Sequence, residues 1–145
     1  MSKAVRSLMC VMLSVAMLFS MNVWSSAAVS AEKTTVQPRF SYTNFTFTGL
    51  DISTRGVATC TTSVEGYDGI ATKIHIEMTL QRRRILLWDD VATWEGTFND
   101  YFGALSKTTT VDSGRYRVKA VYTVYSGSAS EEITAYSQTK EITVS

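Results

Sequence analysis

Apolar and polar residues alternate with a period of two through most of the chain after residue 39. The clearest stretch is 73–82, and its apolar members are Ile74, Ile76, Met78 and Leu80. Successive side chains of a β-strand point to opposite faces of a sheet, so this pattern buries one face and exposes the other. The stretch 115–125 alternates in the same way, and no segment has an apolar stripe of helical period over three turns. We therefore predict an all-β domain.

Turn signals divide the alternating stretches into seven or eight strands. Gly56, the cluster 65–69, the stretch 112–114 and the loop 126–130 interrupt the alternation with glycine, serine or aspartate. After residue 31 the chain contains 20 threonines, 14 aromatic residues and one proline, a composition that suits strands. Strands of this number and spacing predict an antiparallel β-sandwich over 40–145.

Two adjacent aspartates predict one turn in the middle of the chain. Asp89 and Asp90 are adjacent, and aspartate is common in tight turns. We predict a turn at this pair, between strands over 85–88 and 91–98. A single strand over 133–144 is expected to close the domain.

Residues 1–31 have the pattern of a secretory signal peptide. A basic start precedes an apolar run over 8–21, and small residues follow it as far as Ala31. This order predicts export, with cleavage near Ala31. The run is shorter than the ~20 residues of a membrane span, and we expect no span after cleavage. Residues 32–39 are expected to be a flexible leader before the domain.

Charge and cysteine content exclude several function classes. The chain has 14 basic and 13 acidic side chains, and removal of Lys3 and Arg6 with the signal peptide leaves an excess of one acid. Sequence-independent binding to nucleic acid needs an excess of basic side chains, so we expect no nucleic-acid partner. Cys60 is then the only cysteine, which excludes an intramolecular disulfide and requires a packed core. One cysteine and one histidine provide no zinc-ligand set, and no cofactor is expected.

The stretch 112–118 reads Asp-Ser-Gly-Arg-Tyr-Arg-Val and resembles the D-x-G-x-Y-x-C signature of immunoglobulin-like domains. The resemblance implies that Tyr116 forms a corner on strand F, with its hydroxyl bonded to backbone just upstream. Val118 stands where the signature has cysteine, and Ile74 stands where strand C often has a core tryptophan. Apolar packing is therefore expected in place of the disulfide. The resemblance implies an immunoglobulin-like sandwich and no particular activity.

Three short motifs follow one another along the domain: Thr-Leu-Gln at 79–81 with arginines and Trp88 behind it, Gly-x-Tyr-Arg-Val at 114–118, and Val-Tyr at 124–125. In this order they resemble a family of small secreted β-sandwich proteins of Gram-positive bacteria. No function is assigned to that family. The resemblance supports the fold class and the export route, and it transfers no catalytic or binding residue.

A candidate ligand surface combines Arg82, Arg83 and Arg84 with Trp88. Three arginines could hold the phosphates of an anionic cell-wall polymer such as a teichoic acid, and an exposed tryptophan could stack on a sugar ring. In the alternative interpretation, the arginines are a charged strand end that discourages edge-to-edge aggregation, and Trp88 packs at a sheet edge. Trp94 has the phase of a buried position.

Catalytic groups are scarce in the sequence. His75 lies on the outward face of its strand, and we expect a surface residue rather than a general base. Glu77 shares that face and is expected to lie opposite Arg117 or Lys119 of strand F. Cys60 has the phase of a core position, with a nucleophile or an intermolecular disulfide as the alternatives.

These observations predict a secreted, non-catalytic binding or cell-envelope-associated module with no catalytic, cofactor or metal site. Its partner is expected to be a cell-wall polymer or an extracellular protein. One alternative is a carbohydrate or anionic cell-wall polymer binder that uses Trp88 and the three arginines. The other is an extracellular structural subunit that associates with itself through an open strand edge.

Overall fold

The structure is a computed structural model, and it describes residues 40–145. The predicted signal peptide, 1–31, and the predicted leader, 32–39, lie outside the described residues. The described part belongs to one compact unit, Pro38–Ser145. This part contains no helix, and therefore no helix that could cross a membrane.

Eight strands form two sheets that enclose a shared core. The strands are β1 (Thr43–Ile52), β2 (Val57–Gly66), β3 (Lys73–Arg84), β4 (Leu87–Phe98), β5 (Phe102–Thr110), β6 (Gly114–Ser126), β7 (Ala129–Tyr136) and β8 (Lys140–Ile142). The first sheet has the order β1-β2-β5. The second has the order β4-β3-β6-β7, and β8 also pairs with β6. Every pairing is antiparallel, so the predicted β-sandwich of seven to eight strands is confirmed.

The strand order is that of an immunoglobulin-like domain. Strands β1, β2 and β5 take the places of strands A, B and E, and β3, β6 and β7 take those of C, F and G. Strand β4 lies beside β3, where variable-type immunoglobulin domains have strand C′. The predicted neighbourhood of strands C and F is therefore confirmed.

Tyr116 forms the corner that the signature implies. Its ring is buried, and its hydroxyl donates a hydrogen bond of 2.9 Å to the backbone carbonyl of Asp112, four residues upstream. A buried phenol needs a polar partner, and this bond closes the connection from β5 to β6.

The core is built from the alternate residues of the central strands. All four apolar residues predicted in β3 have no exposed surface, and neither has Cys60 in β2. Cys60 and Val118 belong to the same buried cluster, so apolar packing stands where immunoglobulin domains have their disulfide. Each fully buried apolar side chain of this size contributes ~1.5–3 kcal/mol to the stability of the fold relative to leaving it exposed. The domain can therefore stay folded without a covalent link.

The register between β3 and β6 differs from the prediction. Glu77 lies opposite Val121 of β6 and Glu95 of β4, so the predicted pairing with Arg117 or Lys119 is wrong. A shift of two residues keeps the same side chains on the same face. The alternation therefore predicts which face Glu77 occupies but not which residue it faces.

The predicted strand over 133–144 is interrupted at Ser137. Strand β7 pairs with β6 as far as Lys119, and β8 pairs with Gly114–Tyr116. Between them, the amide of Ser137 donates to the carbonyl of Val118 at 2.9 Å, and the amide of Val118 donates to the Ser137 hydroxyl at 2.8 Å. A side-chain oxygen thus replaces one carbonyl of the ladder, which divides the strand into two.

Tyr122 joins the two sheets from within the core. It is fully buried in β6, and its hydroxyl donates a hydrogen bond of 2.6 Å to the backbone carbonyl of Phe47 in β1. The Thr48 hydroxyl lies 2.7 Å from the phenolic oxygen of Tyr122. Because Tyr122 donates its own proton to the Phe47 carbonyl, the Thr48 hydroxyl is the donor of this second bond. Buried polar groups cost free energy when unpaired, and here three groups satisfy one another across the sandwich.

Tyr122→Phe is expected to lower the free energy of unfolding by ~1–3 kcal/mol, because the Phe47 carbonyl and the Thr48 hydroxyl lose their partner. Urea unfolding of residues 38–145, followed by tryptophan fluorescence, measures the change. Tyr125→Phe is the matched control, since Tyr125 is half-buried at the end of the same strand. Equal losses in the two variants would show that the inter-sheet bonds contribute nothing.

Candidate binding surface

The turn between β3 and β4 lies at Ile85 and Leu86, so the prediction of a turn at Asp89 and Asp90 is wrong. Strand β3 continues to Arg84, and both aspartates lie within β4. Two-residue hairpin turns favour glycine, asparagine or aspartate because they need positive φ. Ile85 has a φ of 37°, which a β-branched residue rarely adopts. No turn-forming residue marks this position in the sequence.

The aspartates are held by side chains of the hairpin rather than by a turn. Asp89 forms an ion pair of 2.7 Å with Nε of Arg84, and Asp90 accepts a hydrogen bond of 2.8 Å from Nε2 of Gln81. Both contacts cross between the two strands. Aspartate therefore marks the stem of this hairpin, about two pairs of residues away from its turn.

The tip of the β3–β4 hairpin exposes three consecutive apolar side chains, Ile85, Leu86 and Leu87, here called the tip. They are 93%, 79% and 72% exposed, whereas Phe45, the next most exposed large apolar residue in 40–145, is 56% exposed. Single exposed apolar residues are ordinary, but a run of three on a turn is unfavourable unless it has a function. This run is the strongest indication of a binding surface.

The ladder between β3 and β4 continues past the last pair of β3 with β6. Strand β3 pairs with β6 only as far as Arg82, while its pairing with β4 continues to Arg84. Two residue pairs of the hairpin therefore lie outside the ladder with β6, although β6 itself continues through Arg115 to Gly114, where it pairs with β8. At ~3.4 Å per residue they place the turn about 7 Å beyond the last pair that β6 supports.

The three predicted arginines point to three different partners. Arg82 donates a hydrogen bond of 2.8 Å to the carbonyl of Ser113, next to the tyrosine corner. Arg84 pairs with Asp89, and both side chains are largely exposed, so the pair adds little stability. Arg83 places Cζ 5.4 Å from the ring centre of Trp88. The structure brings Arg83 together with Trp88 but does not form one patch from all three arginines.

Trp88 takes part in a stack that the sequence does not predict. The guanidinium of Arg117 lies between two rings, with Cζ 4.1 Å from the centre of Trp88 and 4.3 Å from the centre of Tyr136. We call these three residues the Arg117 stack. Nε of Arg117 also donates a hydrogen bond of 2.9 Å to Oε1 of Gln81, whose amide holds Asp90.

The Arg117 stack crosses the whole second sheet at the base of the hairpin. Its members and Gln81 come from β7, β6, β3 and β4. Cation–π contacts at such partly exposed sites contribute about 0.5–1 kcal/mol each, so two of them with the hydrogen bonds stiffen this region. A sugar ring that stacked on this face of Trp88 would have to displace the guanidinium of Arg117.

A β-bulge decides that Trp88 lies on the outer face. Leu80 pairs with Ala92, but Gln81 pairs with Asp90, which leaves Val91 as an extra residue in β4. Such an extra residue reverses the alternation beyond it. Trp94, before the bulge, packs against the core, whereas Trp88, beyond it, faces outward beside Arg117.

The remaining polar candidates do not converge. Nδ1 of His75 lies 2.9 Å from the Thr97 hydroxyl on the outer face of the second sheet, and Glu77 stands between Val121 and Glu95. Among residues 40–145, no three histidine, cysteine or acidic side chains gather so that they could hold a metal ion.

No known protein-family model matches the chain, and no curated protein matches it. The resemblance to the secreted family of Gram-positive bacteria therefore stays a prediction, while the sandwich rests on the observed strands.

Replacing Ile85 with glycine is expected to raise the free energy of unfolding by about 1 kcal/mol, because glycine adopts positive φ without strain. Leu86→Gly is the matched control. It removes a neighbouring apolar side chain whose backbone φ is not positive, and it should cost about 0.5–1 kcal/mol. Urea midpoints of the three proteins test this. A loss of stability from Ile85→Gly would mean that the isoleucine makes a stabilising contact.

Burial raises the pKa of the Cys60 thiol from 9.0 to about 11. The thiolate is the reactive form, so Cys60 is expected to resist thiol reagents at pH 8 until the domain unfolds. The unfolded chain loses this proton first as the pH rises. Folding stability should therefore fall by roughly 2 kcal/mol between pH 9 and pH 11 through this group.

Cys60→Ala supplies the comparison for that pH dependence. The alanine variant starts from a lower stability because it loses buried volume, but its decline above pH 9 should be shallower. Tyr122 contributes to the decline in both proteins, because burial raises its pKa too. Parallel stability curves for the two proteins would contradict the assignment to Cys60.

Proposed function

We propose that this protein is a secreted, non-catalytic binding module of the cell envelope and that the β3–β4 hairpin is its contact element. The observation that carries the proposal is the tip, whose three apolar side chains are between 72% and 93% exposed. Because these side chains are already exposed, a partner reaches them without rearrangement of the domain.

The tip is costly to the isolated domain in two ways. Its apolar surface is left in water, and the positive φ of Ile85 adds backbone strain of about 1–3 kcal/mol. Nε of Arg83 donates a hydrogen bond of 3.3 Å to the carbonyl of Ile85, but the three apolar side chains stay exposed. Binding would offset the first of the two costs, because it would remove the apolar surface from water.

The base of the hairpin is suited to hold the tip in place. The Arg117 stack fastens β4 to β6 and β7, and the ion pair of Arg84 with Asp89 adds a weak link across the stem. A contact element that is ordered before binding loses less conformational entropy when it binds. The stack therefore supports binding as a positioning element rather than as a sugar platform.

Non-catalytic action is proposed because no acid–base constellation accompanies the hairpin. His75 bonds to a threonine on an open sheet face, and burial suppresses the ionisation of Cys60. Catalysis by either would need a partner group within hydrogen-bond reach and a cleft that excludes water.

A second candidate function has its own observation. Phe45 and Phe102 are 56% and 50% exposed on the outer face of the first sheet, where they flank Glu65. They lie on β1 and β5, the two open edges of that sheet. This arrangement supports the alternative of an extracellular structural subunit that associates with itself.

Binding to isolated cell envelopes of the exporting organism tests the proposal. Residues 38–145 are mixed with envelopes that retain both wall and membrane, and the bound fraction is measured after sedimentation. We expect the double variant Ile85→Gly/Leu86→Ser to bind at least tenfold more weakly than the unchanged domain. Because glycine relieves the strain at position 85, lost binding would not be explained by unfolding.

The matched control is Phe45→Ser/Phe102→Ser, which removes two exposed apolar side chains from the opposite sheet. It should bind like the unchanged domain. If this variant alone loses binding, and sedimentation depends on protein concentration, self-association replaces the proposal. If no variant changes the bound fraction, the hairpin is not the contact element.

A further inference from the structure

We infer that the tip inserts into the interface of a lipid bilayer that contains anionic phospholipids. This inference rests on the proposed function, because it names the surface that the β3–β4 hairpin contacts. It commits to the outer face of a membrane rather than to a wall polymer or a protein pocket.

The shape of the hairpin favours a bilayer. The tip is convex, because it surrounds a two-residue turn and its three apolar side chains are between 72% and 93% exposed. Interfacially bound segments bury their apolar side chains ~5–10 Å into the boundary between headgroups and acyl chains. A convex apolar tip needs a matching pocket in a protein partner but no preformed shape in a lipid surface.

The order of side chains behind the tip follows the layers of a bilayer interface. The first two pairs of the hairpin are Arg84 with Leu87 and Arg83 with Trp88. They lie within about two residue steps of the turn, at the depth where lipid phosphates would be. Arginine pairs with phosphate in a bidentate manner, and tryptophan is enriched at membrane interfaces.

The acids of the hairpin stand further from the tip than these arginines. Asp89 and Asp90 belong to the third and fourth pairs, opposite Arg82 and Gln81. Asp89 and Arg84 compensate each other's charge, and Asp90 is bound by Gln81. The hairpin therefore presents apolar side chains, then the guanidinium of Arg83, then paired acidic groups to an approaching surface, which suits an anionic membrane.

A wall polymer and a protein pocket each account for only half of this order. An anionic polymer would use the arginines but would leave the tip in water. A protein pocket would cover the tip but would give no reason for arginines at the first two pairs. A lipid interface accounts for both with one occupant, and the other two become outcomes of the test.

A fluorescent probe at the tip tests the inference directly. Residues 38–145 with Leu86→Cys are labelled with an environment-sensitive nitrobenzoxadiazole dye at pH 7. Cys60 stays unlabelled because it has no exposed surface and a raised pKa. The matched control carries the dye at Ser128→Cys, in the turn between β6 and β7. That turn is at the opposite end of the sandwich, because β6 runs antiparallel to β3.

Two vesicle preparations serve as probes: phosphatidylglycerol with phosphatidylcholine in equal parts, and phosphatidylcholine alone. With the anionic vesicles, the dye at position 86 should brighten and shift to shorter wavelength. Lipids that carry a nitroxide near the headgroup end of the acyl chain should quench it. The dye at position 128 should not change with either preparation.

Co-sedimentation with the same vesicles measures the contributions of unlabelled side chains. Ile85→Gly/Leu86→Ser should weaken binding to anionic vesicles on the order of a hundredfold, because two apolar side chains no longer leave water. Arg83→Gln/Arg84→Gln should weaken it roughly thirtyfold. Lys107→Gln/Lys119→Gln removes the same charge away from the hairpin and should have a much smaller effect.

Each contrary result overturns a defined statement. Equal binding to neutral and anionic vesicles would overturn the requirement for anionic lipid. No vesicle binding, with envelope binding that still depends on the tip, would overturn the lipid inference and leave the proposed function standing, with a wall polymer or a protein as the partner. Loss of both would overturn the inference and the proposed function together.

Discussion

A sandwich without a disulfide depends on the apolar face of its two central strands. In this domain β3 and β6 supply most of the fully buried side chains, and Cys60 and Val118 pack where a covalent link stands in immunoglobulin domains. Residues 74–82 of β3 pair with both β4 and β6, whereas its last two residues pair with β4 alone. The exposed hairpin is therefore a continuation of the most buried strand of the core.

Much of the fold follows from local patterns in the sequence. The alternation of apolar residues predicted the buried face of β3, and the 112–118 signature predicted the tyrosine corner at Tyr116. The division of the last strand at Ser137 was not predictable, because it depends on a side chain that bonds to a distant amide. Alternation reports the face of a strand, while register depends on contacts between strands.

The candidate site was predictable only in part. The sequence indicated Arg83 and Trp88, which do lie together, but it misplaced the turn because Ile85 stands where a glycine is expected. Arg117 and Tyr136 could not be found, since only the pairing of β3, β6 and β7 brings them to Trp88. The exposure of the tip was also hidden, because its apolar residues resemble those of a buried strand.

The bulge at Val91 makes the hairpin more sensitive to changes of length than to changes of residue type. A substitution in the stem alters one contact, and its neighbours keep their directions. Deletion of Val91 would restore strict alternation. Every side chain of β4 between the bulge and the turn would then move to the other face of the sheet. Trp88 would then point toward the side of Trp94, and Arg117 would lose one of its two rings. Insertions and deletions in β4 are thus the genetic events through which the surface of this sandwich changes most abruptly.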